Sequence, residues 1–202
     1  MTESILIEKF LGGELQAFNR LVDRWHKPIY NFILRDLNNR DEADDLTQQV
    51  FVRVYRSLHR LKRRESFSTW IYQIAANLCR DVIKQRRRRT MVSLESMQEN
   101  GVLDVAAHAV LTLQPDAAQH PDQVVNRSQL REILQKALQE IPEEQRVVVI
   151  MKEYQGLKFT EIAEALGAPV NTVKSRLYYG LSALRKTLAK WQIDEEVLSY
   201  EM

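Results

Sequence analysis

The 202-residue sequence has little that would support a secreted, disulfide-bonded or membrane-spanning protein. Its single cysteine, Cys79, excludes an internal disulfide framework and fits a reducing cytosol. No apolar run is long enough to cross a bilayer. The start, MTESILIEKFLGG, has acids where a secretory signal needs basic residues. We therefore expect a cytoplasmic protein without membrane insertion.

Glycine and proline are also scarce, at six and five residues, and the strict alternation typical of β-strands is absent. Apolar residues instead recur at steps of three and four, a spacing that predicts helices. The four histidines show no metal-ligand spacing. Acids at 41–45 could be taken as the metal ligands of a nuclease, but they lie at a predicted helix start, where the helix dipole explains them. We expect an all-α protein with no metal, no cofactor and no catalytic residues.

The N-terminal part of the chain predicts four helices. A short helix over 4–11 is ended by Gly12 and Gly13, and a longer one runs from Glu14 to the polar turn at 38–40. Asp41 is expected to cap a third helix, and a fourth begins after Ser66 or Ser68 and runs into four arginines at 86–89. These elements predict a first domain over 1–89.

The character of the chain changes after this basic run. From 90 to 126 there is no Lys or Arg, and the charged residues are the acids Glu95, Glu99, Asp104, Asp116 and Asp122. A loop of this length is uncommon inside one compact domain, which predicts a long, flexible acidic linker over 90–126. Its stretch 103–113 is apolar enough for a transient or docked helix. A second helical domain is expected over 127–190, with Pro142 at the first position of a helix, followed by a tail over 191–202.

The segment 159–188 has the residue logic of a helix-turn-helix. Thr160 is the expected N-cap of a short helix, Gly167 supplies the turn, and Asn171 is the expected N-cap of a second helix. Ala163 allows the two helices to cross closely, and Val173 fills the space between them.

Polar and aromatic residues cover the outward face of this second helix. Cations reach phosphates or guanine edges, and hydroxyl groups bond to either, so this face predicts DNA reading. The alternative is an ordinary helical hairpin with a solvated basic face. The candidate contacts are Thr172, Lys174, Ser175, Arg176, Tyr178 and Tyr179.

Four stretches together resemble a bacterial RNA polymerase sigma factor of the extracytoplasmic function (ECF) type. They are DEADDLTQQVFVRVYRSL (41–58), SFSTWIYQIAANLCRDVIKQRRRR (66–89), IPEEQRVVVIMKEYQGLKFTEIAEALG (141–167) and APVNTVKSRL (168–177). The resemblance implies that 1–89 is like sigma region 2, which binds the polymerase and opens the −10 element. It implies that 127–190 is like region 4, which reads the −35 element.

The resemblance also implies roles for particular residues. Binding to the clamp of the largest polymerase subunit falls on Asp44, Asp45, Leu46, Gln48, Gln49 and Arg53. Recognition of the −10 element falls on Arg63, Arg64, Ser68, Trp70, Tyr72, Gln73, Asn77, Arg80 and Lys84. From the residues alone, the first set is a solvated helix face, and Trp70 has the spacing of a core residue.

The implied partners are core RNA polymerase, through its clamp and the flap of its second largest subunit, promoter DNA and an anti-sigma factor. Three places depart from the family pattern: the loop at 61–64 lacks the usual Gly, Tyr179 stands where an Arg is common, and Asn171 stands where a Gly is common. The second departure bears on the −35 preference. The alternative from another class is an autonomous helix-turn-helix regulator in which 1–89 senses a ligand or dimerises.

Overall fold

The computed structural model describes residues 2–99, 127–191 and 193, except for the side chains of 92–99 and 127–128. These residues form eight α-helices and no β-strand, which confirms the all-α prediction for the described part of the chain. None of the described helices combines the length and apolar character that a membrane span requires.

Four helices make up the N-terminal domain. They are α1 (Glu3–Leu11), α2 (Leu15–Leu37), α3 (Arg40–Ser57) and α4 (Phe67–Glu99). Two short 3₁₀ turns, Leu58–Arg60 and Arg64–Ser66, join α3 to α4. The backbone of α4 continues past Arg89, where we expected the domain to end.

Apolar faces of α1–α4 meet in one core, because each helix has its apolar residues on one side. Phe32, Phe67 and Ile71 are among its largest fully buried side chains. The cap of α3 differs from the prediction. Asn39 caps the helix, with its side-chain oxygen accepting from the Glu42 N–H at 3.0 Å, and Asp41 lies inside the first turn.

The C-terminal domain contains the remaining four helices. They are α5 (Arg127–Gln139), α6 (Glu143–Val149), α7 (Phe159–Leu166) and α8 (Val170–Lys190), and a π-helical turn, Ile150–Tyr154, extends α6. The first of these helices begins at Arg127 and the last ends at Lys190. Pro142 is the N-cap of α6, one residue before its predicted position. The apolar stretch 103–113 and most of the tail 191–202 lie outside the described residues.

Helices α7 and α8 form the predicted helix-turn-helix, and Gly167 adopts the left-handed conformation expected of the turn (φ 63°). Both predicted caps were wrong. The Glu161 carboxylate instead accepts from the Lys158 backbone N–H at 2.7 Å, so α7 begins before Thr160. Helix α8 begins directly after Pro169, which places Asn171 in its first turn.

The two domains pack against each other, which the sequence did not predict. Helix α7 lies along α4, and α2 contacts both α5 and the π-helical turn. Buried apolar side chains from both domains form one continuous cluster. The described residues therefore form a closed arrangement, and this arrangement decides which candidate residues are accessible.

Candidate nucleic-acid interface

The predicted DNA-reading face of α8 is largely open to solvent. Lys174, Ser175, Tyr178 and Tyr179 are exposed, and the ring centroids of the two tyrosines lie 5.6 Å apart. Burial of Val173 under this face anchors the helix to the domain. The first turns of α8 thus present one exposed cation, a serine hydroxyl and two aromatic rings on one surface.

The other two predicted residues of this face are less free. Thr172 is half-buried, and its carbonyl accepts from the Ser175 hydroxyl at 3.0 Å. Arg176 is half-buried and forms an ion pair with Glu144 at the start of α6. One cation of the predicted reading face is therefore paired within the chain.

Helix α4 divides its predicted −10 residues between solvent and the core. Asn77 is exposed, and its side-chain oxygen accepts from an Arg80 guanidinium N–H at 3.1 Å. Lys84 is exposed, whereas Trp70 and Gln73 are half-buried. Asn77, Arg80 and Lys84 are thus the residues of this helix best placed to meet a nucleic acid.

Tyr72 does not lie on the exposed surface that a DNA-reading role requires. It is only 3% exposed, and its hydroxyl donates to the Gln155 side-chain oxygen at 2.6 Å. Burial raises the pKa of Tyr72 well above its ordinary value. In the closed arrangement, Tyr72 joins the two domains instead of facing DNA.

Of the remaining −10 candidates, Arg63 and Arg64 lie in the segment before α4, and Ser68 is the second residue of α4. Arg63 is exposed and forms an ion pair with Glu65 at 3.4 Å, while Ser68 is half-buried. One terminal nitrogen of Arg64 is buried without a hydrogen-bond partner. The loop contains cationic groups near the N-terminal end of α4.

All but one of the predicted polymerase-binding residues of α3 are exposed to solvent. Asp44, Asp45, Gln48, Gln49 and Arg53 are exposed. Leu46 is only 4% exposed and packs in the core, which contradicts its prediction as a contact residue. Since it points away from solvent, its role is to hold α3 in place.

Two apolar residues that sequence reasoning missed lie on the same helix. Val52 and Tyr55 are about half exposed, and Tyr55 packs against the rings of Phe10 and Phe18. Their spacing of four and seven residues from Gln48 signals the shared face. The surface thus combines polar and apolar groups, as protein-binding surfaces do.

A buried ion pair joins the domains behind α4. The Arg146 guanidinium donates to the Asp36 carboxylate at 3.1 Å and to the Ile141 carbonyl at 3.4 Å. Burial raises the pKa of the Asp36 carboxyl, and the nearby Arg146 opposes that rise. Cys79 is a buried thiol, and burial together with Asp36 raises its pKa well above the ordinary value.

Further polar contacts surround this pair. The Gln135 amide donates to the Leu34 and Arg35 carbonyls at 3.0 and 3.1 Å, and Gln139 donates to the Arg35 carbonyl at 2.9 Å. These carbonyls lie in the last turn of α2, where helices leave acceptors available, although the Leu34 carbonyl also accepts from the Asn38 backbone N–H at 2.9 Å. The sequence signal for the interface was Asp36, a charged residue at helical spacing from the apolar residues Phe32 and Ile33.

A cleft of about 670 Å³ lies between α4 and the start of α6 and α8. Arg80, Lys84 and Arg87 line it from one domain, and Arg176 lines it from the other. Glu143 and Glu144 line the same cleft, and Glu143 pairs with Arg87 at 3.1 Å. Among the described residues, no group of His, Cys, Asp and Glu has the arrangement of a metal site.

Comparisons with known proteins match both domains. The family model for Sigma-70 region 2 matches residues 21–89, and the model for Sigma-70 region 4 matches residues 131–184. The ECF RNA polymerase sigma factor SigW of Bacillus subtilis is 32% identical over 185 residues, covering 90% of this chain and 94% of SigW. The RNA polymerase sigma-H factor of Pseudomonas aeruginosa is 28% identical, covering 91% of this chain and 92% of that protein.

Solved structures show the same fold. CnrH in complex with the cytosolic domain of CnrY has a TM-score of 0.65 at 19% identity, covering 93% of this chain and 97% of that chain. The sigma factor RpoE of Bartonella quintana, in complex with the anti-sigma factor NepR, has a TM-score of 0.61 at 20% identity, covering 85% and 96%. The two family models in this order, together with the similarity to SigW over most of both chains, show that the chain belongs to the ECF RNA polymerase sigma factors, which direct transcription initiation.

Proposed function

We propose that this sigma factor reads the −35 promoter element with the outward face of α8. The observation that carries the proposal is a helix-turn-helix whose second helix exposes Lys174, Ser175, Tyr178 and Tyr179. A recognition helix enters the major groove with its N-terminal residues against base edges. The tyrosines follow one turn later, where they would meet the groove wall and thymine methyl groups.

The −10 element is proposed to bind along α4. Asn77 presents an amide that can bond to the edge of an unstacked base, and Arg80 and Lys84 supply cations for the exposed strand. Unstacking a base costs a few kcal/mol, so a binder of the opened strand promotes melting. In this role Trp70 lies at the half-buried end of the same face.

Core RNA polymerase is the proposed partner of the exposed α3 face, through the clamp of its largest subunit. Asp44, Asp45, Gln48, Gln49 and Arg53 provide polar contacts, and Val52 and Tyr55 add an apolar centre. The C-terminal domain is the proposed partner of the flap on the second largest subunit. The RpoE structure contains an anti-sigma factor, and we propose a partner of that class here as well.

The molecule acts in this proposal as a dissociable specificity subunit and not as a catalyst. It has three functional parts: region 2 over 1–89, the acidic linker over 90–126 and region 4 over 127–190. An autonomous regulator would instead use the N-terminal domain as a sensor or dimerisation unit. The charged, exposed face of α3 favours a macromolecular partner over a small ligand.

Reconstitution with core polymerase tests the proposal. The purified chain is expected to comigrate with core enzyme and to start transcription on a library of linear promoter fragments, with start sites read by sequencing the transcripts. Asp45→Lys should weaken comigration, whereas Asp23→Lys, the same change at an exposed position of α2, should leave it unchanged.

A chain that binds promoter fragments but neither comigrates with core enzyme nor starts transcription would support the autonomous regulator. Normal transcription with equal behaviour of the two variants would reject the α3 surface as the polymerase contact while leaving the sigma function intact.

A further inference from the structure

The aromatic ring of Phe159 lies beside two lysine amines that come from different elements. Phe159 is the first residue of α7, and its half-buried side chain packs against the apolar core. The Lys152 amine of the π-helical turn lies over this ring, 5.0 Å from its centre. The Lys174 amine of α8 lies over the same ring at 5.8 Å. One ring, fixed by packing, therefore gathers two cations at the helix-turn-helix.

Both distances are those of a cation–π interaction, in which the negative face of a ring attracts a cation within about 6 Å of its centre. Lys152 is held a second time, because its amine donates to the Leu157 carbonyl at 3.3 Å. A lysine amine has three N–H donors, so this bond is compatible with a contact to an anion. A long side chain that is ordered in advance loses less conformational freedom when it binds. The ring thus prepares both amines for a ligand.

The kind of partner distinguishes these lysines from their neighbour Arg176. The Arg176 guanidinium pairs with the Glu144 carboxylate, which offsets its charge. Within the ranges that the structure describes, neither Lys152 nor Lys174 forms an ion pair with a carboxylate. An aromatic ring carries no net charge, so it orders a cation and leaves the full charge of that cation in place. The two amines are therefore positioned without being neutralised.

The anion that fits such a pair is the phosphate backbone of DNA. Lys174 lies in the first turns of the second helix, where a recognition helix enters the major groove. Lys152 lies before the helix-turn-helix and was not among the residues that the sequence indicated. A lysine amine binds phosphate as a point charge, and phosphate contacts fix the register and orientation of a protein on the duplex. Lys152 thus has the chemistry and the placement of a backbone contact beside the groove.

We propose that Phe159 is a positioning residue for promoter binding, whose ring holds Lys152 and Lys174 as a pair of cations directed at the DNA. Lys152 then contacts a backbone phosphate at the edge of the major groove that α8 enters. Phe159 acts through the two amines and not through a contact of its own. This inference rests on the proposed function of α8 as the reader of the −35 element.

Stepwise fluorination of the Phe159 ring tests the positioning. Mono-, di- and trifluorinated phenylalanine are incorporated at this position, because fluorine withdraws electron density from the ring face and changes the shape of the ring little. The full-length chain is assembled with core polymerase. The probe is a fluorescent duplex with the −35 half of a promoter fragment that the wild-type assembly transcribes. Anisotropy should show an affinity that falls with each added fluorine, by about 5-fold over the series.

The matched control is the same series in the Lys152→Met/Lys174→Met background, which keeps two long side chains and removes both cations beside the ring. Fluorination should leave the affinity unchanged there. Both series are measured at low salt, where the weaker background still binds, and chemical unfolding checks that the fluorinated rings remain packed. An affinity that does not depend on fluorination, or that falls equally in both backgrounds, would overturn the positioning role of Phe159.

Lys152→Met tests the phosphate contact by itself. If Lys152 neutralises one phosphate, the slope of log affinity against log salt concentration should become shallower by about 1, with an equal loss on all variants of the −35 element. The control is Lys136→Met, which removes an exposed amine of α5 and should leave the slope unchanged. A Lys152→Met slope equal to that of wild type would overturn the pairing of the two lysines on DNA.

The same measurements separate this inference from the proposed function. If the wild-type assembly starts transcription, and the fluorinated and Lys152→Met variants bind the duplex as wild type does, the role of Phe159 is rejected and the function stands. A wild-type chain that starts transcription from no promoter fragment rejects both, because the ring then has no promoter contact to position.

Discussion

Lys174 and Arg176 are two cations on one helix face, yet their surroundings differ. Lys174 is exposed, with its amine 5.8 Å from the centre of the Phe159 ring, whereas Arg176 is half-buried and paired with Glu144. Both residues were assigned to the proposed DNA-binding surface because of their residue type. Only the contacts in the structure show that Arg176 must break its ion pair with Glu144 before it can bind a phosphate.

Lys174→Ala tests base reading at the start of α8. If Lys174 contacts a base, the change should cost about 1–3 kcal/mol of promoter binding and relax the preference at one position of the −35 element. The measurement is the affinity of the holoenzyme, the chain bound to core polymerase, for promoters that differ in the −35 element. Lys186→Ala, at an exposed site late in α8, is the control. A uniform loss across variants would make Lys174 a phosphate contact, and no loss would contradict the docking of α8.

Asn77→Ala tests the proposed reader on α4. Transcription from a duplex promoter should fall more than transcription from a template with a pre-opened −10 bubble, because contacts to the opened strand offset the cost of unstacking. Some defect should remain on the bubble if the amide also reads the base. Gln85→Ala, at an exposed position of α4, serves as the control. Equal defects on both templates would show a structural role for Asn77.

At the scale of single helices, the close packing of α8 on α6 depends on Gly180, which is not part of the apolar pattern of α8. Leu181 has the helical spacing of an inward-facing residue relative to Val173 and Leu177, but it is 39% exposed. Gly180 beside it is buried, where α8 crosses α6. A Cβ atom at Gly180 would lie 2.8 Å from a methyl carbon of Val149 and 3.3 Å from the Gln145 Cβ. The missing side chain thus sets the distance between the two helices.

Gly180→Ala should lower the stability of the C-terminal domain, although alanine favours a helix by about 1 kcal/mol. Overpacking costs about 1–3 kcal/mol, and the β-branched Val149 side chain has little freedom to move. Chemical unfolding of wild type, Gly180→Ala, Val149→Ala and the double variant measures the effect. Val149→Ala should cost less in the Gly180→Ala background, because it removes the clash. Additive costs, or a more stable Gly180→Ala, would contradict the close approach.

At the scale of the whole molecule, the domains share a buried cluster and a set of polar contacts. Region 2 and region 4 were predicted as separate domains joined by a flexible linker, and each does have its own helices and core. Their packing against each other makes the described residues a single closed unit. Accessibility of the proposed DNA-binding surfaces therefore depends on the domain arrangement.

The bond between Tyr72 and Gln155 allows this closed unit to be tested in solution. A double-mutant cycle with Tyr72→Phe and Gln155→Ala should show a coupling of about 1 kcal/mol in guanidinium unfolding of the full chain, because both changes remove one shared hydrogen bond. The control cycle combines Tyr72→Phe with Gln85→Ala, whose side chain is exposed on α4. Coupling no larger than in the control cycle would show that the domains do not hold this contact in solution.

The sequence by itself determined the helices, the turn at Gly167 and the outward face of α8, because each depends on residues a few positions apart. The resemblance added the family and the two-domain order, which the comparisons confirmed. Two helix starts were predicted wrongly, because Asn39 and Glu161 provide the capping hydrogen bonds that the sequence offered equally to Asp41 and Thr160.

The tertiary structure alone decided which residues become partners across the chain. Asp36 and Arg146 are 110 positions apart. A helical period relates only residues a few positions apart, so it gives no sign of this pair. The same holds for Glu143 with Arg87, and for Tyr72, whose burial depends on a helix of the other domain. Periodicity reports which side of a helix is apolar, but it does not report what covers that side. Long-range packing makes that choice, and here it sets the proposed DNA-binding cations against the acids of the same chain.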